Sequence, residues 1–261
     1  MTTSLATDHV LRLLQEVADE VITPRFRSLD EDEISSKSHP GDLVTVADRE
    51  AEVLITRELR TAYPEAVVLG EEAFADDESS LAGFRRAEHA FTVDPVDGTR
   101  NFVHGSPDHA VMVAETRGGQ TVRAWIWQPQ HELAYVAEAG AGATRNGDPL
   151  DRLDPGSDPT RWRVRTSARR RVGDRLGALP PLELSWVSCG IDYPKLAEGE
   201  CEGLLYQGTR PWDHVPGALI VSELGGVVGT GDGETYGPRA DPRRILATAS
   251  PDVYDGLLRE L

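Results

Sequence analysis

The sequence predicts an α/β protein built from stacked layers of helix and sheet. Two observations lead to this prediction. Helical patterns come first along the chain and a run of strand patterns follows, after which strand and helix patterns alternate to the end. That order is typical of chains whose helices pack against the faces of sheets. A length of 261 residues suits one compact unit, in which we expect an N-terminal subdomain at 1–150 and a C-terminal subdomain at 151–261.

Two helices are predicted near the N-terminus. Apolar residues at 10–21 fall on one helical stripe, and Pro24 should end that helix. A polar loop is expected at 30–42. Thr45 and Asp48 then have the spacing of a capping box, which predicts that a second helix begins there.

The remaining elements follow from strand patterns, turn residues and helix caps. Short apolar runs predict six strands, at 66–69, 90–93, 109–115, 122–127, 132–137 and 245–248. Gly118 and Gly119 predict a two-residue hairpin turn between the third and fourth of these. A helix is predicted at 211–224, and Ser250 and Pro251 have the residue types that open a last helix.

The composition excludes several classes of protein. Hydrophobic residues make up 39% of the chain and charged residues 27%, which is typical of a soluble globular protein. A net charge of −17 argues against nucleic acid and anionic membranes as partners. We expect a cytoplasmic protein, because neither a signal peptide nor an apolar run of about 20 residues is evident. Cys189 and Cys201 are too few for a disulfide framework.

Acidic residues cluster where predicted strands end and where a predicted helix begins. Glu71 follows the strand at 66–69, Asp94 and Asp97 follow the strand at 90–93, and Asp213 opens the helix at 211–224. Carboxylates held together repel each other unless a cation lies between them. Oxygen ligands favour Mg²⁺, and no histidine or cysteine cluster points to zinc. Taken singly, each cluster also fits a solvated surface, an ordinary turn or a helix cap.

The turn that contains Asp94 and Asp97 has the residues of a cation site beside a phosphate cradle. The two aspartates are three residues apart around a proline, so one turn can aim both carboxylates and the Val96 carbonyl at one point. Gly98 permits backbone N–H groups to approach an anion closely, and Thr99 adds a hydroxyl. Bound cations would supply the positive charge that so acidic a chain needs in order to bind a phosphate ester.

Six ordered segments resemble the inositol monophosphatase family. Residues 94–102 resemble the first signature of that family, and 212–226 resemble its second. The other matching segments are 41–48, 70–72, 101–105 and 140–150. The resemblance covers roughly 10–255. It implies the layered sugar-phosphatase fold of inositol monophosphatase and fructose bisphosphatase.

The resemblance also implies a magnesium-dependent phosphatase that uses metal-activated water. It implies two or three Mg²⁺ ions per active site. The implied metal ligands are Glu71, Asp94, the Val96 carbonyl, Asp97 and Asp213. The residues implied to act in catalysis are Glu71, Asp94, Asp48 and Thr99. Thr99 and Asp48 would orient and deprotonate the water, and the backbone of Gly98 and Thr99 would bind the phosphate. Lys37 would lie near the site, although it also fits an ordinary solvated loop.

The substrate is less well defined by the sequence. Tyr206 stands where inositol enzymes of the family carry a substrate-binding glutamate. We expect Gly190, Asp192, Tyr193 and Tyr206 to line the substrate pocket, together with Asp97 and Asp213. The preferred substrate is inositol monophosphate or a similar sugar or polyol phosphate. Histidinol phosphate, fructose bisphosphate and phosphoadenosine phosphate are the alternatives within the same chemistry.

Three further expectations concern assembly, inhibition and class. The family implies a homodimer and inhibition by lithium. A catalytically silent regulatory protein that binds metal or phosphate is the alternative from another class, but every acidic position of the family pattern is filled. The arginines of 161–171 fit an exposed strand and loop, or a patch for a second phosphate or an acidic partner.

Overall fold

The computed structural model describes residues 5–37 and 43–261, without the side chain of Glu31. Part of the predicted loop at 30–42, and the Gly41-Asp42 start of one family-like segment, lie outside these residues. The α-helices of the described residues are α1 (Thr7–Val17), α2 (Val46–Ala62), α3 (Glu71–Asp76), α4 (Ser80–Arg86), α5 (Thr99–Val103), α6 (Cys189–Ala197), α7 (Pro211–Glu223) and α8 (Pro251–Arg259).

In the same described residues, the strands form three sheets. They are β1 (Ile34–Ser36), β2 (Leu43–Thr45), β3 (Val67–Gly70), β4 (His89–Asp97), β5 (Ala110–Arg117), β6 (Gln120–Gln128), β7 (Leu133–Glu138), β8 (Gly142–Arg145), β9 (Asp148–Pro149), β10 (Val164–Thr166), β11 (Glu183–Leu184), β12 (Gly203–Tyr206), β13 (Val227–Thr230) and β14 (Ile245–Thr248). β1 and β2 pair with each other, β3 to β9 form a seven-stranded sheet, and the order of the third sheet is β11-β10-β12-β14-β13.

The seven-stranded sheet is antiparallel except for its first pair, β3 and β4. Gly118 and Gly119 join β5 to β6 with φ angles of 58° and 81°. Positive φ at both central residues is the conformation of a type I′ turn, so the predicted hairpin is confirmed. One face of the sheet packs against α1 and α2, where Leu14 and Ile55 meet Phe91 in a shared apolar core.

Helices α6 and α7 lie between the two large sheets. Leu219 and Ile220 of α7 pack with Met112 of the seven-stranded sheet, while Val215 packs with Ile245 of the five-stranded sheet. Helix α8 covers the opposite face of the five-stranded sheet through residues that include Val253, Tyr254 and Leu257. The resulting order of layers is helix, sheet, helix, sheet, helix, which confirms the predicted layered α/β fold.

Three helix boundaries were predicted from capping residues or from proline. The capping box is present at the start of α2, with Thr45 as N-cap and Asp48 as its partner. Ser250 caps α8 by accepting a hydrogen bond from the Val253 N–H at 3.3 Å. Pro24 does not end a regular helix as predicted, because α1 stops at Val17 and the chain continues through a π-helical and a 3₁₀ turn.

Two other expectations bear on the described residues. No helix in the described part of the chain is both long enough and apolar enough to cross a bilayer. Cys189 and Cys201 are both free thiols. The division at 1–150 and 151–261 stays a prediction, although each large sheet lies within one of these segments.

Candidate active site

Neighbouring strand ends bring two of the acidic clusters together. β3 and β4 run parallel, and Gly70 at the end of β3 pairs with Val93 of β4. The next residue on each strand is an acid, Glu71 on one and Asp94 on the other. Because β3 and β4 run parallel and in register, Glu71 and Asp94 are neighbours across the two segments, although β3 ends there and β4 continues to Asp97.

A β-bulge turns Asp94 and Asp97 toward each other. Asp94 lies opposite Met112 and Asp97 lies opposite Ala110, so β4 has one extra residue in this interval. Residues three apart on a regular strand point to opposite faces, and the extra residue of a bulge corrects that mismatch. The expected boundary was therefore wrong, because the strand predicted to end at 93 runs to Asp97.

The carboxylate oxygens of Asp94, Asp97 and Asp213 lie within 4.8 Å of one another. Asp94 is buried, and its Oδ1 has no hydrogen-bond partner among the described residues. Burial, together with Glu71, Asp97 and Asp213, raises the pKa of Asp94 well above its ordinary value. Burial, followed by Glu71 and Asp97, raises the pKa of Asp213 in the same way. A hard divalent cation fits this set of oxygen donors, since it would pair the bare oxygen and relieve the repulsion.

Asp97 is held by the start of α6. Its Oδ2 accepts hydrogen bonds from the Ser188 hydroxyl and from the Gly190 N–H, the latter at 2.7 Å. Burial raises the pKa of Asp97 to about 6, and these donors oppose the shift. The sequence pattern missed Ser188, since only the fold brings that hydroxyl to Asp97.

Thr99 and Asp48 are in hydrogen-bond contact, as the resemblance implies. The Thr99 hydroxyl lies 3.0 Å from Asp48 Oδ1 and also 3.0 Å from the Val96 carbonyl oxygen. The other carboxylate oxygen of Asp48 accepts from the Thr45 N–H at 2.9 Å and from its hydroxyl. Burial raises the pKa of Asp48 to about 6 against the effect of these hydrogen bonds. Asp48 therefore ionises at a higher pH than an exposed aspartate.

Only glycine fits at position 98. Gly98 has φ +83°, and a Cβ there would lie 2.9 Å from the Ser188 Cβ and 3.0 Å from the Asp108 carbonyl oxygen. Gly98 is the N-cap residue of α5, which begins at Thr99. The first N–H groups of a helix have no partner within the helix, which makes this backbone a suitable anion cradle.

Lys37 pairs with the acidic cluster at Glu71 and Glu72. Its Nζ lies 2.7 Å from Glu71 Oε1 and 2.6 Å from Glu72 Oε1. Burial opposes the charge on Lys37, but the two carboxylates outweigh it and raise the pKa of the ammonium group. Burial raises the pKa of Glu72 to about 8, with Lys37 opposing that shift. Lys37 is thus an ion-pair partner within the site and not a freely solvated loop lysine.

Glu52 supports the same cluster and was missed by the sequence analysis. Its Oε2 accepts from the Glu72 N–H and its Oε1 from the Ala73 N–H, each at 2.8 Å. The carboxylate therefore caps α3, which begins at Glu71. A signal was present in the sequence, because Glu52 is an acid directly beside the apolar stripe that includes Ala51 and Ile55.

The predicted pocket residues occupy two different environments. Gly190 contacts Asp97, as described above. Asp192 and Tyr206 are both buried and form a pair, in which the Tyr206 hydroxyl lies 3.3 Å from Asp192 Oδ2. A cavity of about 930 Å³ adjoins the site, and its lining includes Glu71 and Asp213 but not Gly190, Asp192 or Tyr206. Substrate binding by those three residues stays a prediction.

Comparison with known proteins agrees with this geometry. A model of the inositol monophosphatase family matches residues 6–261. The chain belongs to this family. An inositol-1-monophosphatase of Rhizobium meliloti is 33% identical over 210 residues, spanning 72% of this chain and 71% of the relative. Nus factor SuhB of Escherichia coli is 29% identical, spanning 93% of this chain and 95% of that protein.

Solved structures confirm the inositol monophosphatase fold. An IMPase/NADP phosphatase gives a TM-score of 0.84 at 22% identity, covering 99% of this chain and 97% of that chain. The IMPase of Thermotoga maritima gives a TM-score of 0.80 at 23% identity, covering 97% and 94%. The family resemblance inferred from the motifs is thus confirmed. The homodimer, lithium inhibition, the cytoplasmic location and the exclusion of nucleic acid stay predictions.

Proposed function

We propose that this protein is a Mg²⁺-dependent phosphatase that hydrolyses a small phosphorylated metabolite. The observation that carries the proposal is the convergence of Asp94, Asp97 and Asp213, with the bare Oδ1 of buried Asp94 among their oxygens. The residues that would hold two or three Mg²⁺ ions are Glu71, Asp94, the Val96 carbonyl, Asp97 and Asp213. When bound, Mg²⁺ lowers the pKa of water and offsets the charge of the phosphate ester.

The residues around this cluster have suitable roles in hydrolysis. Thr99 donates its hydroxyl hydrogen to Asp48 or to the Val96 carbonyl, which leaves the Thr99 oxygen able to accept a hydrogen bond from water. Asp48, with a pKa of about 6, can take up the proton that this water releases. The N–H groups of Gly98 and Thr99 bind the phosphate oxygens at the start of α5.

The preferred substrate is inositol monophosphate or a similar sugar or polyol phosphate. Similarity to inositol-1-monophosphatases supports this choice. So do solved structures of similar proteins, one in complex with Mg²⁺ and phosphate and one with inositol monophosphate bound. The Tyr206 hydroxyl pairs with Asp192, whereas the inositol enzymes of the family carry a substrate-binding glutamate at this position. Histidinol phosphate, fructose bisphosphate and phosphoadenosine phosphate are therefore the rival substrates.

A regulatory function is the second candidate. The similarity to proteins named Nus factor SuhB favours it. The filled acidic positions favour turnover, because a protein that only binds partners does not need both the carboxylate cluster and the Thr99–Asp48 pair.

Phosphate release from a panel of esters tests the proposal. The panel contains inositol 1-phosphate, histidinol phosphate, fructose 1,6-bisphosphate and phosphoadenosine phosphate, assayed with Mg²⁺ and again with EDTA or lithium. We expect EDTA-sensitive release from at least one ester, and its loss in an Asp94→Asn variant that keeps the wild-type circular dichroism spectrum. Full activity in that variant would refute the metal assignment, and no release from any ester would favour the regulatory function.

A further inference from the structure

Arg210 lies on an aromatic platform at the wall of the cavity. Its guanidinium carbon is 4.5 Å from the ring centroid of Phe74 and 6.0 Å from that of Trp212. The two rings are buried and lie 5.1 Å apart. Arg210 lines the 930 Å³ cavity together with both rings and Asp213. Contact with the faces of aromatic rings fixes the position of a cation without using its hydrogen-bond donors.

The donors of Arg210 are available to a ligand. Within the described part of the chain, its side chain lies over the two rings and its charge opposes the raised pKa of Asp213, but it forms neither a hydrogen bond nor an ion pair. Two other cations line the cavity: Lys37 is already paired with Glu71 and Glu72, and Arg49 is an exposed residue of α2. A guanidinium group presents five N–H donors in a planar fork that matches phosphate and carboxylate oxygens in pairs.

We infer that Arg210 is a specificity-determining residue that binds a second anionic group of the substrate, separate from the phosphate that is hydrolysed. The inference rests on the proposed function. Arg210 precedes Asp213 by three residues, so their Cα atoms are at most about 11 Å apart. An anion on the platform is therefore within reach of a small molecule whose reacting phosphate lies at the aspartate cluster.

The size of the cavity supports this assignment. At about 930 Å³ it is near the top of the range of about 300–1,000 Å³ for small-molecule sites, so it has room beyond a single phosphate ester. Asp76 and Glu78 also line it, and neither forms an ion pair with Arg210. Carboxylates outnumber cations in the lining, so a second anion entering this cavity needs a cation that is not already paired, and Arg210 is such a cation on a fixed platform.

Matched pairs of esters test the inference. Fructose 1-phosphate and fructose 1,6-bisphosphate differ by one phosphate, and glycerol 2-phosphate and 2-phosphoglycerate differ by one carboxylate. We expect the wild-type protein to prefer, in at least one pair, the member that carries two anionic groups. In Arg210→Gln, the KM for that member should rise by about ten- to a hundredfold, while its kcat changes by less than about threefold. The KM and kcat for the member whose only anionic group is the phosphate should also change by less than about threefold. Arg210→Lys keeps the charge without the fork and should recover only part of the loss.

Arg12→Gln is the control, because Arg12 is an exposed arginine of α1 that does not line the cavity. An equal loss for both members of a pair would overturn the inference, since Arg210 would then act on the shared phosphate or on the metal site. The lack of any preference in the wild-type protein would also overturn it.

If no ester is hydrolysed, the proposed function fails while the role of Arg210 can still be decided. Titration calorimetry in Mg²⁺ then measures the binding of the same four esters. If the member with two anionic groups binds more tightly and this advantage is lost in Arg210→Gln, the role of Arg210 is supported. Equal binding within each pair would refute it.

Discussion

Replacing Glu52 with alanine should weaken Mg²⁺ binding although Glu52 is not itself an expected ligand. The Glu52 carboxylate caps α3 by accepting the Glu72 and Ala73 N–H groups, each at 2.8 Å. Glu71 is the first residue of that helix. Without the cap, the first turn of α3 loosens and Glu71 loses its fixed position. Loss of such a supporting contact typically lowers metal affinity by about 10–100-fold.

The cost to stability can be worked out from the two hydrogen bonds. A buried donor left without a partner costs about 1–3 kcal/mol. Glu72 is buried, whereas Ala73 is exposed and water can replace its lost acceptor, so we expect about 2 kcal/mol and about 1 kcal/mol for these two N–H groups. Burial raises the pKa of Glu52, so its removal also relieves a desolvation cost. The free energy of unfolding should therefore fall by about 2 kcal/mol.

Urea unfolding and Mg²⁺ titration calorimetry measure the two effects of Glu52→Ala. Glu52→Gln keeps one carbonyl oxygen as an acceptor and should give intermediate values. Glu58→Ala is the matched control, because Glu58 belongs to the same helix and its side chain is 46% exposed. Wild-type stability in Glu52→Ala would refute the capping role. A fall in stability with unchanged Mg²⁺ affinity would refute the link between the cap and Glu71.

Two other predictions concern proton transfer and pH. Thr99→Ala should lower kcat by about 10²–10⁴-fold and leave Mg²⁺ affinity within about threefold, as measured by phosphate release and calorimetry; a collapse of metal affinity would instead make Thr99 a ligand. Burial lowers the pKa of His109 from 6.5 to about 4. Between these values the unfolded chain binds a proton at His109 and the folded chain does not. The stability contributed by neutral His109 is therefore complete above pH 6.5 and falls by about 2 kcal/mol by pH 5. His109→Gln should show a smaller loss of stability between pH 7.5 and pH 5 in urea unfolding, and parallel pH curves would contradict the reasoning.

Local chemistry predicted several parts of the fold well. The capping box at Thr45, the turn at Gly118 and the cap at Ser250 each depend on a few adjacent residues, and all three are confirmed. The bulge in β4 was not predicted, because Pro95 normally argues against the interior of a strand. A bulge tolerates proline because the extra residue is left out of the strand pairing, and whether a bulge forms depends on the neighbouring strand.

In the candidate site too, the sequence predicted features that depend on adjacent residues and missed features that depend on distant ones. The motifs around Asp94 and Asp213 could be recognised in the sequence because the acids are adjacent to the other residues of each motif. The roles of Ser188 and Glu52 depend on contacts between elements that are far apart along the chain. The pairing of Tyr206 with Asp192 is of the same kind, since it joins a strand to a helix. A single sequence contains no direct signal for such contacts.

Helix starts surround the acidic cluster, which explains how so acidic a chain can hold it. Glu71, Asp48 and Asp213 lie in the first turns of α3, α2 and α7. Asp97 accepts the N–H of Gly190 from the first turn of α6. The N-terminal end of a helix carries partial positive charge and unpaired N–H groups, both of which favour a carboxylate. Several carboxylates are thus held in position by the fold itself, and the carboxylate oxygens of Asp97 and Asp213 lie within 4.8 Å of each other and of Asp94, where a bound cation would stabilise all three in the charged form.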